Sequence, residues 1–350
     1  MKKLPLILFV CLLGANLTAQ ISITGIVRDS LNNPISFASV YLSNTTIGTT
    51  ADNSGAYKLK IPKDGQYELI ITCIGYKSYS KSIHAEGKNI VINAILQTNT
   101  QTLNEITVTA KDKYRKQNYS WFIKVFFGET PNSKSCSILN PEDIRLHYNR
   151  ESKKLTGYSV KPLVIENRAL GYKIIYDLKN FEHYPNKGIS RYYGCPFFSL
   201  MNGSESEQES WSQARLITYY GSQMHFMRTL YNDKINMEKF EMYEENIDKA
   251  TNENINTKPL NVKDLKSFEG PDHIVIYSLK PVVIYYDNPE LKTELNRAQS
   301  YRYKSVITFN NSLKVFENGY FEHGYNISWD GKMSKERMAD MLPFDFQPDL

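Results

Sequence analysis

The sequence has little cysteine, little excess charge and, after its first twenty residues, no long apolar segment. Only four of its 350 residues are cysteine. No later stretch reaches the roughly 18 consecutive apolar residues that a membrane-spanning helix requires, so we expect no transmembrane span in the mature chain. The 42 Lys and Arg residues nearly balance the 37 Asp and Glu residues. This balance argues against nucleic acid as a partner, because nucleic-acid-binding domains show a clustered basic excess.

Recognisable catalytic motifs are absent as well. The six histidines share no metal-ligand spacing, and no His-Glu-x-x-His motif occurs. There is no Gly-x-Ser-x-Gly elbow for a nucleophilic serine and no glycine-rich phosphate loop. The sequence therefore predicts no catalytic residues, no metal site and no cofactor. A Cys–His pair, or two carboxylates that meet only in the folded protein, stays open because sequence does not give such separations.

The first nineteen residues are typical of a secretory signal. Lys2 and Lys3 form the charged start, residues 4–13 form the apolar segment, and Ala19 is the small residue before the cleavage point. We therefore expect an exported protein that is periplasmic or associated with the outer membrane.

Export leaves room for at most one disulfide. Cleavage after Ala19 removes Cys11, and Cys73 lies in an apolar strand-like segment, so the expected pair is Cys136 and Cys195. Closing this loop of about 60 residues would stabilise the fold by roughly 4 kcal/mol on the chain-entropy account. The alternative is three small buried thiols.

Residues 20–98 alternate apolar and polar side chains, as half-buried strands do. Turn residues interrupt this pattern at 32–34, 52–55, 64–65 and 75–76. Short strands separated in this way, the last two at 90–96 and 106–108, predict a seven-stranded antiparallel β-sandwich of immunoglobulin-like type.

A set of spaced Gly, Pro and Asp positions recurs in this region: Ile23-Thr24-Gly25-Ile26-Val27, Pro34-Ile35, Ala38-Ser39-Val40, Gly48-Thr49, Asp52, Gly55-Ala56-Tyr57 and Ile74-Gly75-Tyr76. With these positions, the region resembles the carboxypeptidase regulatory-like domain that is common in exported Bacteroidetes proteins. The resemblance implies a transthyretin-like (prealbumin-like) sandwich and no particular function. Gly25, Gly48, Gly55 and Gly75 fall at predicted strand starts or turns, where we expect a positive φ or a close backbone approach.

Residues 99–113 are predicted to be a linker, because their polar start has no apolar period. Residues 103–110 resemble the segment that follows this domain in TonB-dependent outer-membrane receptors. The remaining chain is too short to complete such a receptor.

Residues 114–350 are predicted to form a second domain of different composition, with 20 of the 25 Tyr, 14 of the 16 Phe and all three Trp. One long packed helix is predicted at 205–231, begun by capping boxes at Ser204 and Ser206, and a shorter helix at 334–342. An α+β domain with an antiparallel sheet follows from these helices and from strand-like segments at 155–165, 170–177, 273–286, 301–315 and 320–329.

Two groups of polar residues are candidate binding sites. Glu166, Asn167 and Arg168 fall where a strand-like segment breaks, and the alternative is a turn whose charged residues pair with their neighbours or with solvent. The predicted long helix also carries a narrow polar stripe, for which the alternative is an ordinary helix face with a Trp over an Arg. The stripe consists of Trp211, Arg215, Thr218, Ser222, His225 and Thr229.

The patterns Cys136-Ser137-Ile138-Leu139-Asn140-Pro141, residues 161–172, and Met341-Leu342-Pro343-Phe344 resemble an uncharacterised Bacteroidetes family whose members carry the same sandwich. This resemblance implies a complete chain and no particular reaction.

We therefore expect a non-enzymatic exported cell-envelope protein that acts as a binding or assembly module, with an envelope protein or a glycan as its partner. One alternative is an envelope hydrolase that acts on peptide or polysaccharide through carboxylates of the later domain. A second alternative is a glycan-binding accessory protein, which the aromatic content favours because large amphipathic rings can stack on sugars.

Overall fold

The computed structural model describes residues 21–99, 114–246, 258–287, 302–322 and 324–348. The expected signal sequence and nearly all of the expected linker lie outside these residues. The described chain forms 23 strands and four α-helices, together with short 3-10 turns. Its sheets are built mainly from antiparallel pairs. The prediction of a mostly β fold with antiparallel sheets is confirmed.

Residues 21–99 form the predicted β-sandwich. Its alternating apolar side chains, among them Ile23, Leu42, Ile61 and Leu69, build one core between two sheets. The strands are β1 (Ile21–Asp29), β2 (Ser39–Leu42), β3 (Gly48–Thr50), β4 (Ala56–Ile61), β5 (Gly65–Thr72), β6 (Tyr79–Ala85), β7 (Ile90–Val91) and β8 (Ala94–Leu96). One sheet has the order β4-β1-β7, with β8 also paired to β1, and the other has the order β3-β2-β5-β6.

The strand boundaries differ from prediction at two places. The short β3 was not predicted, and the segment predicted as one strand at 90–96 is divided into β7 and β8. The division arises because side chains replace backbone partners at this point. The Ile92 carbonyl accepts from the Tyr57 hydroxyl (2.8 Å), and the Asn93 side-chain oxygen accepts from the Ile26 N–H group (3.0 Å). The predicted strand at 106–108 lies outside the described residues.

Residues 114–200 pack one helix on a six-stranded sheet. Phe122, Phe126 and Phe127 of the helix are buried against Phe181 and other sheet residues. The elements are α1 (Arg115–Phe127), β9 (Cys136–Ile138), β10 (Ile144–Asn149), β11 (Lys154–Ser159), β12 (Leu163–Asn167), β13 (Tyr172–Tyr184) and β14 (Ile189–Leu200). The order is β10-β11-β13-β12-β9, and β14 pairs with β13 in a long hairpin.

The rest of the described chain forms three helices and two more sheets. The helices are α2 (Glu205–Tyr219), α3 (Gln223–Tyr231) and α4 (Val262–Leu265). The strands are β15 (Phe240–Glu244), β16 (Pro259–Leu260), β17 (Lys266–Glu269), β18 (His273–Ile276), β19 (Val282–Asp287), β20 (Arg302–Phe309), β21 (Leu313–Phe316), β22 (Phe321–Glu322) and β23 (Ile327–Gly331). They form the sheets β16-β15-β19-β20-β23 and β17-β18-β21-β22. The described residues from 114 onward thus contain three sheets and two large hydrophobic clusters.

The predicted single helix at 205–231 is two helices. The α2 helix ends at Tyr219, and Gly221 adopts a left-handed conformation with φ of 75°, which interrupts the helix. Ser222 then caps α3 by accepting a hydrogen bond from the His225 N–H group (3.1 Å). The polar stripe predicted on one helix therefore spans two helices.

The start of α2 has the predicted capping box. Ser204 Oγ accepts from the Glu207 N–H group (3.3 Å), and Glu207 Oε2 accepts from the Ser204 N–H group (2.8 Å). The second predicted box does not form, because Ser206 lies inside the first turn of α2.

The prediction of a helix at 334–342 is wrong. This segment forms two 3-10 turns, Met333–Lys335 and Met338–Asp340. Side-chain contacts of the segment fix it: Asp340 accepts hydrogen bonds from Thr130 (2.8 Å) and Asn132 (2.9 Å). These hydrogen bonds hold the segment in an irregular conformation against the neighbouring residues.

The structure contradicts the expected Cys136–Cys195 disulfide, because Cys73, Cys136 and Cys195 are free thiols. Cys136 lies on β9 and Cys195 on β14, with β12 and β13 between them. At about 4.8 Å between neighbouring strands, their two strands are about 14 Å apart. The register adds a displacement along the strands, because Cys136 is level with Leu200 and not with Cys195. The Cα atoms of a disulfide lie only about 4.4–6.8 Å apart.

We predict three titratable thiols in a chain that begins at Gln20. Burial raises the pKa of Cys136 to about 12 and that of Cys195 to about 11, so both thiols stay protonated and react slowly in the native protein. Thiol titration in denaturant without reductant should count three groups, and a count of one would contradict the fold.

We also predict that Gly221→Ala lowers the free energy of unfolding more than Gly188→Ala does. Both glycines have positive φ, 75° and 63°. A Cβ at Gly221 would lie 2.5 Å from Tyr286 Cδ1, whereas a Cβ at Gly188 meets nothing within 4 Å. Urea denaturation should show an extra loss of at least about 1 kcal/mol for Gly221→Ala. Equal losses would mean that the Tyr286 contact has no energetic weight.

Candidate functional site

One turn of the sandwich, residues 43–47, docks onto the rest of the chain, and we call it the docking turn. Its Asn44 N–H group donates to the Pro196 carbonyl (2.7 Å), and the Phe198 N–H group donates to the Thr45 carbonyl (3.0 Å). Asn44 has a φ of 60°, which Asn tolerates better than most residues. These bonds attach the turn to the end of β14.

The docking turn also holds the C-terminal segment. The Phe344 N–H group donates to the Asn44 carbonyl (2.7 Å). The Thr46 N–H group donates to Asp345 Oδ1 (2.9 Å), and the Thr46 hydroxyl donates to Oδ2 of the same carboxylate. The turn therefore links β14 and the C-terminal segment, which are about 150 residues apart in the sequence.

Apolar contacts extend this junction. The rings of Tyr41 and Phe197 have centroids 4.9 Å apart, and both pack with Ile70 and Cys195. A Cβ at Gly48 would lie 2.7 Å from the Phe197 ring, so the expected close approach at this glycine is confirmed. The sandwich is consequently packed against β14 and is not simply tethered to it.

Next to the junction lies a cleft of about 340 Å³, which we call the interdomain cleft. The sandwich forms one wall, and α3, the turn after it and the C-terminal segment form the others. Aromatic rings and side-chain amides line it beside charges of both signs. The charged lining residues are Lys63, Asp64, Arg228, Lys234, Glu238, Glu317 and Asp345.

His225 lies at the base of this cleft and is only 2% exposed. The Gly221 N–H group donates to its Nδ1 (3.1 Å), so the neutral ring carries its proton on Nε2, which donates to Glu238 Oε2 (3.3 Å). Four aromatic rings surround the imidazole, with centroids 4.8–5.6 Å away. Burial lowers the pKa of His225 to about 4. With both nitrogens bonded and the ring neutral, His225 orients Glu238.

Arg228 is a buried cation in the same wall, only 8% exposed. Its guanidinium donates to the carbonyls of Asn318 (3.0 Å) and Phe344 (3.1 Å) and lies over the Tyr219 ring, 5.4 Å from its centroid. Among the described residues, no carboxylate forms a salt bridge with it. Burial of a cation without an anionic partner is unfavourable, so Arg228 makes the cleft a polar binding surface.

The predicted group Glu166, Asn167 and Arg168 is held by local bonds. Arg168 donates to Glu166 Oε2 through Nη2 (2.7 Å) and Nε (3.0 Å). Asn167 is fully buried, donates to the Ala339 carbonyl (2.9 Å) and accepts from the Leu170 N–H group (3.1 Å). These residues fix the turn after β12.

The first residues of the predicted stripe pack on that same turn. Trp211 Nε1 donates to the Arg168 carbonyl (2.9 Å), and Arg215 Nε donates to the Leu170 carbonyl (2.7 Å). Arg215 also lies over the Tyr172 ring, 4.5 Å from its centroid. The group 166–168 and the start of the polar stripe therefore lie next to each other. The Trp211 and Arg215 side chains donate to backbone carbonyls there, so they stabilise the turn after β12.

Of all the residues predicted from the sequence as candidate site or stripe residues, only His225 and Thr229 line the interdomain cleft. Ser222 caps α3 behind it. Sequence reasoning missed Lys63, Arg228 and Asp345, because they are brought together by the docking turn and no local spacing relates them. Among the described residues, no group of three or more His, Cys, Asp or Glu side chains could hold a metal ion.

In the described residues, the fold and the site define a protein of two parts: a β-sandwich packs against a larger, aromatic-rich β part, and the docking turn lies at their junction. The family model of the CarboxypepD_reg-like domain matches residues 23–108. The predicted carboxypeptidase regulatory-like domain is thus confirmed for the sandwich. No helix of the described residues is long and apolar enough to cross a membrane.

A curated relative is the TonB-dependent receptor SusC of Bacteroides thetaiotaomicron, which is 30% identical over 142 residues. The aligned part is 40% of this chain and 13% of the receptor, so the chain spans a small part of that relative's length. The relation agrees with the predicted Bacteroidetes affiliation.

Similar solved structures share little of the whole arrangement. A cohesin–X-dockerin complex from Acetivibrio cellulolyticus is 18% identical, and the match covers 22% of this chain and 58% of that one. A candidate carbohydrate-binding protein from Bacteroides uniformis is 10% identical over 44% of this chain and 56% of its own. A candidate membrane-associated protein of unknown function from Bacteroides fragilis is 10% identical over 89% of this chain and 95% of its own. All three have a TM-score of 0.20.

Two carboxyl groups outside the cleft have raised pKa values. Burial raises the pKa of Asp340 and raises that of Glu336 to about 7. Glu336 accepts from the Gln223 N–H group (3.0 Å) and lies 3.5 Å from Lys332 Nζ. Both groups fasten the C-terminal segment and are absent from the lining of the cleft.

We predict that Glu336→Gln reduces the pH dependence of stability. The folded-state pKa of Glu336 lies above the unfolded value of 4.5, so the folded state binds the extra proton and the free energy of unfolding falls as pH rises from about 4.5 to about 7. Glu336→Gln stays neutral and lacks this loss. Thermal unfolding across this pH range should show it, with the exposed Glu209→Gln as control. Equal pH slopes in wild type and Glu336→Gln would refute the assignment.

Proposed function

We propose that this protein is a non-enzymatic binding module of the bacterial cell envelope, which holds a polypeptide segment of an envelope partner in the interdomain cleft. The observation that carries the proposal is the cleft itself, because its walls come from both the sandwich and the aromatic-rich part. A ligand there contacts both parts at once.

The composition of the cleft favours a polypeptide. Three cationic and four acidic side chains line it together with Asn232, Asn318 and Gln347. A peptide segment offers N–H donors, carbonyl acceptors and charged side chains of both signs, which match this lining. Tyr67, Tyr219 and Phe344 add apolar area between the charges.

An envelope location is supported by two observations. The first nineteen residues are typical of a secretory signal. The relation to the TonB-dependent receptor SusC supports a place at or near the outer membrane. A periplasmic or outer-membrane-associated protein is the location that fits both.

The alternative of an envelope hydrolase has less support. Both ring nitrogens of His225 are bonded, and the carboxyl groups whose pKa values burial raises, Glu336 and Asp340, do not line the cleft. In the described part of the chain, no cluster could hold a catalytic metal.

We predict that charge reversal in the cleft weakens partner capture. Purified wild-type protein and the variant Lys63→Glu/Lys234→Glu would be incubated with an envelope extract and crosslinked, and captured proteins would be quantified. The cleft variant should capture its specific partner at least about tenfold less, as expected for the loss of two favourable charge contacts.

The matched control is Lys60→Glu/Lys173→Glu, which has the same change in charge at two exposed positions outside the cleft. Capture should persist in this control. Equal capture by all three proteins, or turnover of peptide or polysaccharide substrates by the wild type, would contradict the proposal.

A further inference from the structure

A second concave site lies between α1 and β10, and we call it the α1–β10 groove. Its volume is about 350 Å³, at the small end of the range of ligand pockets, about 300–1,000 Å³. Tyr114, Gln117, Asn118 and Trp121 line it from one face of the helix, since residues three and four apart share a helix face. It has no lining residue in common with the interdomain cleft.

The strongest sign of a ligand is Asn118. This residue is only 4% exposed and lines the groove, yet its side-chain amide makes no hydrogen bond to any residue that the structure describes. Buried polar groups are normally paired, and an unpaired one is unfavourable. Asn167, the fully buried Asn of the same part, has both its donor and its acceptor paired. The amide of Asn118 is therefore placed to bind an external donor and acceptor.

Aromatic rings stand on both sides of this amide. The Trp121 and Tyr148 rings meet edge to face, with centroids 5.3 Å apart and an interplanar angle of 64°. Tyr114 is 42% exposed, and the Arg150 guanidinium lies 4.8 Å from its ring centroid. Such rings offer flat apolar surface to the C–H faces of a ligand.

Among the described residues, the lining of the groove contains no carboxylate, and Arg150 is its one permanently charged residue. A cationic ligand would therefore be disfavoured. A ligand with many hydroxyl groups and apolar ring faces fits best, because hydroxyls both donate to and accept from side-chain amides.

From these features we infer that the α1–β10 groove binds a pyranose ring of a glycan. The ring face stacks on Trp121 or Tyr148, and the hydroxyl groups at its edge bond the amides of Asn118 and Gln117. Arg150 donates to hydroxyl oxygens, or to a ring carboxylate in a uronic acid.

The test is titration of the mature full-length chain with soluble hexasaccharides of glucose, mannose, xylose and galacturonic acid, up to about 10 mM. Calorimetry and tryptophan fluorescence, to which Trp121 contributes, would report binding. At least one oligosaccharide should bind, and Asn118→Leu should weaken it at least about tenfold. Because the Asn118 amide is unpaired, Asn118→Leu should leave the thermal midpoint unchanged or higher, whereas a structural amide would lower it.

A second variant keeps the test independent of folding. Arg150→Ala removes an exposed guanidinium at the rim and should weaken sugar binding, while Arg191→Ala, at an exposed position away from the groove, should not. Stronger binding of the galacturonic acid hexamer, lost in Arg150→Ala, would identify an acidic sugar.

The cleft variant Lys63→Glu/Lys234→Glu should bind sugar normally, which separates this site from the proposed protein-binding cleft. No binding of any oligosaccharide, or equal binding by Asn118→Leu, Arg150→Ala and wild type, would overturn the inference.

Discussion

The central contact between the sandwich and the rest of the described chain is made by five residues, the docking turn at 43–47. Its backbone bonds β14 through Pro196 and Phe198, and its Thr46 binds the carboxylate of Asp345 in the C-terminal segment. The turn fixes the separation of the two cleft walls together with the Ser78–Asp177 hydrogen bond (3.2 Å) and the His84–Asp272 contact (3.3 Å). The sandwich thus has a structural role beyond its own core, since it sets the geometry of a surface to which it contributes only one wall.

Features that depend on local sequence signals could be predicted, whereas features that depend on a tertiary contact such as the docking turn could not. The sandwich was predictable because each strand has its own period of two and each turn its own Gly, Asn or Asp, so that local signals agree with the fold. Gly55 and Gly75 have the positive φ values expected of them, 75° and 88°. The interdomain cleft was not predictable, because Lys63, Arg228 and Asp345 have no sequence relation and meet only through the docking turn.

The break between α2 and α3 shows a different limit. Apolar and polar residues keep a helical period across 205–231, so periodicity alone predicts one helix. Gly221 follows the end of α2, and Ser222, the next residue, is the N-cap of α3. The spacing of apolar residues contains no signal for such a break. The space beside Gly221 is filled by the Tyr286 ring, so the bend lets a residue of β19 pack where a continuous helix would pass. That ring and the Tyr219 ring then enclose His225.

Pairing of buried polar groups separates structural residues from ligand-facing ones in this protein. The residues singled out by sequence, Asn167, Trp211 and Arg215, have their main donors paired with backbone carbonyls, and they stabilise a turn and a helix contact. Sequence reasoning missed Arg228 and Asn118, which are 8% and 4% exposed. Among the described residues, Arg228 donates to two backbone carbonyls but has no salt bridge, and the Asn118 amide has no hydrogen-bond partner. Both line concave surfaces. An unpaired buried amide is unfavourable unless a ligand or water supplies the missing contact, so binding at Asn118 would recover free energy. Arg228 already has carbonyl partners, and a ligand there would add the anionic partner that it lacks among the described residues.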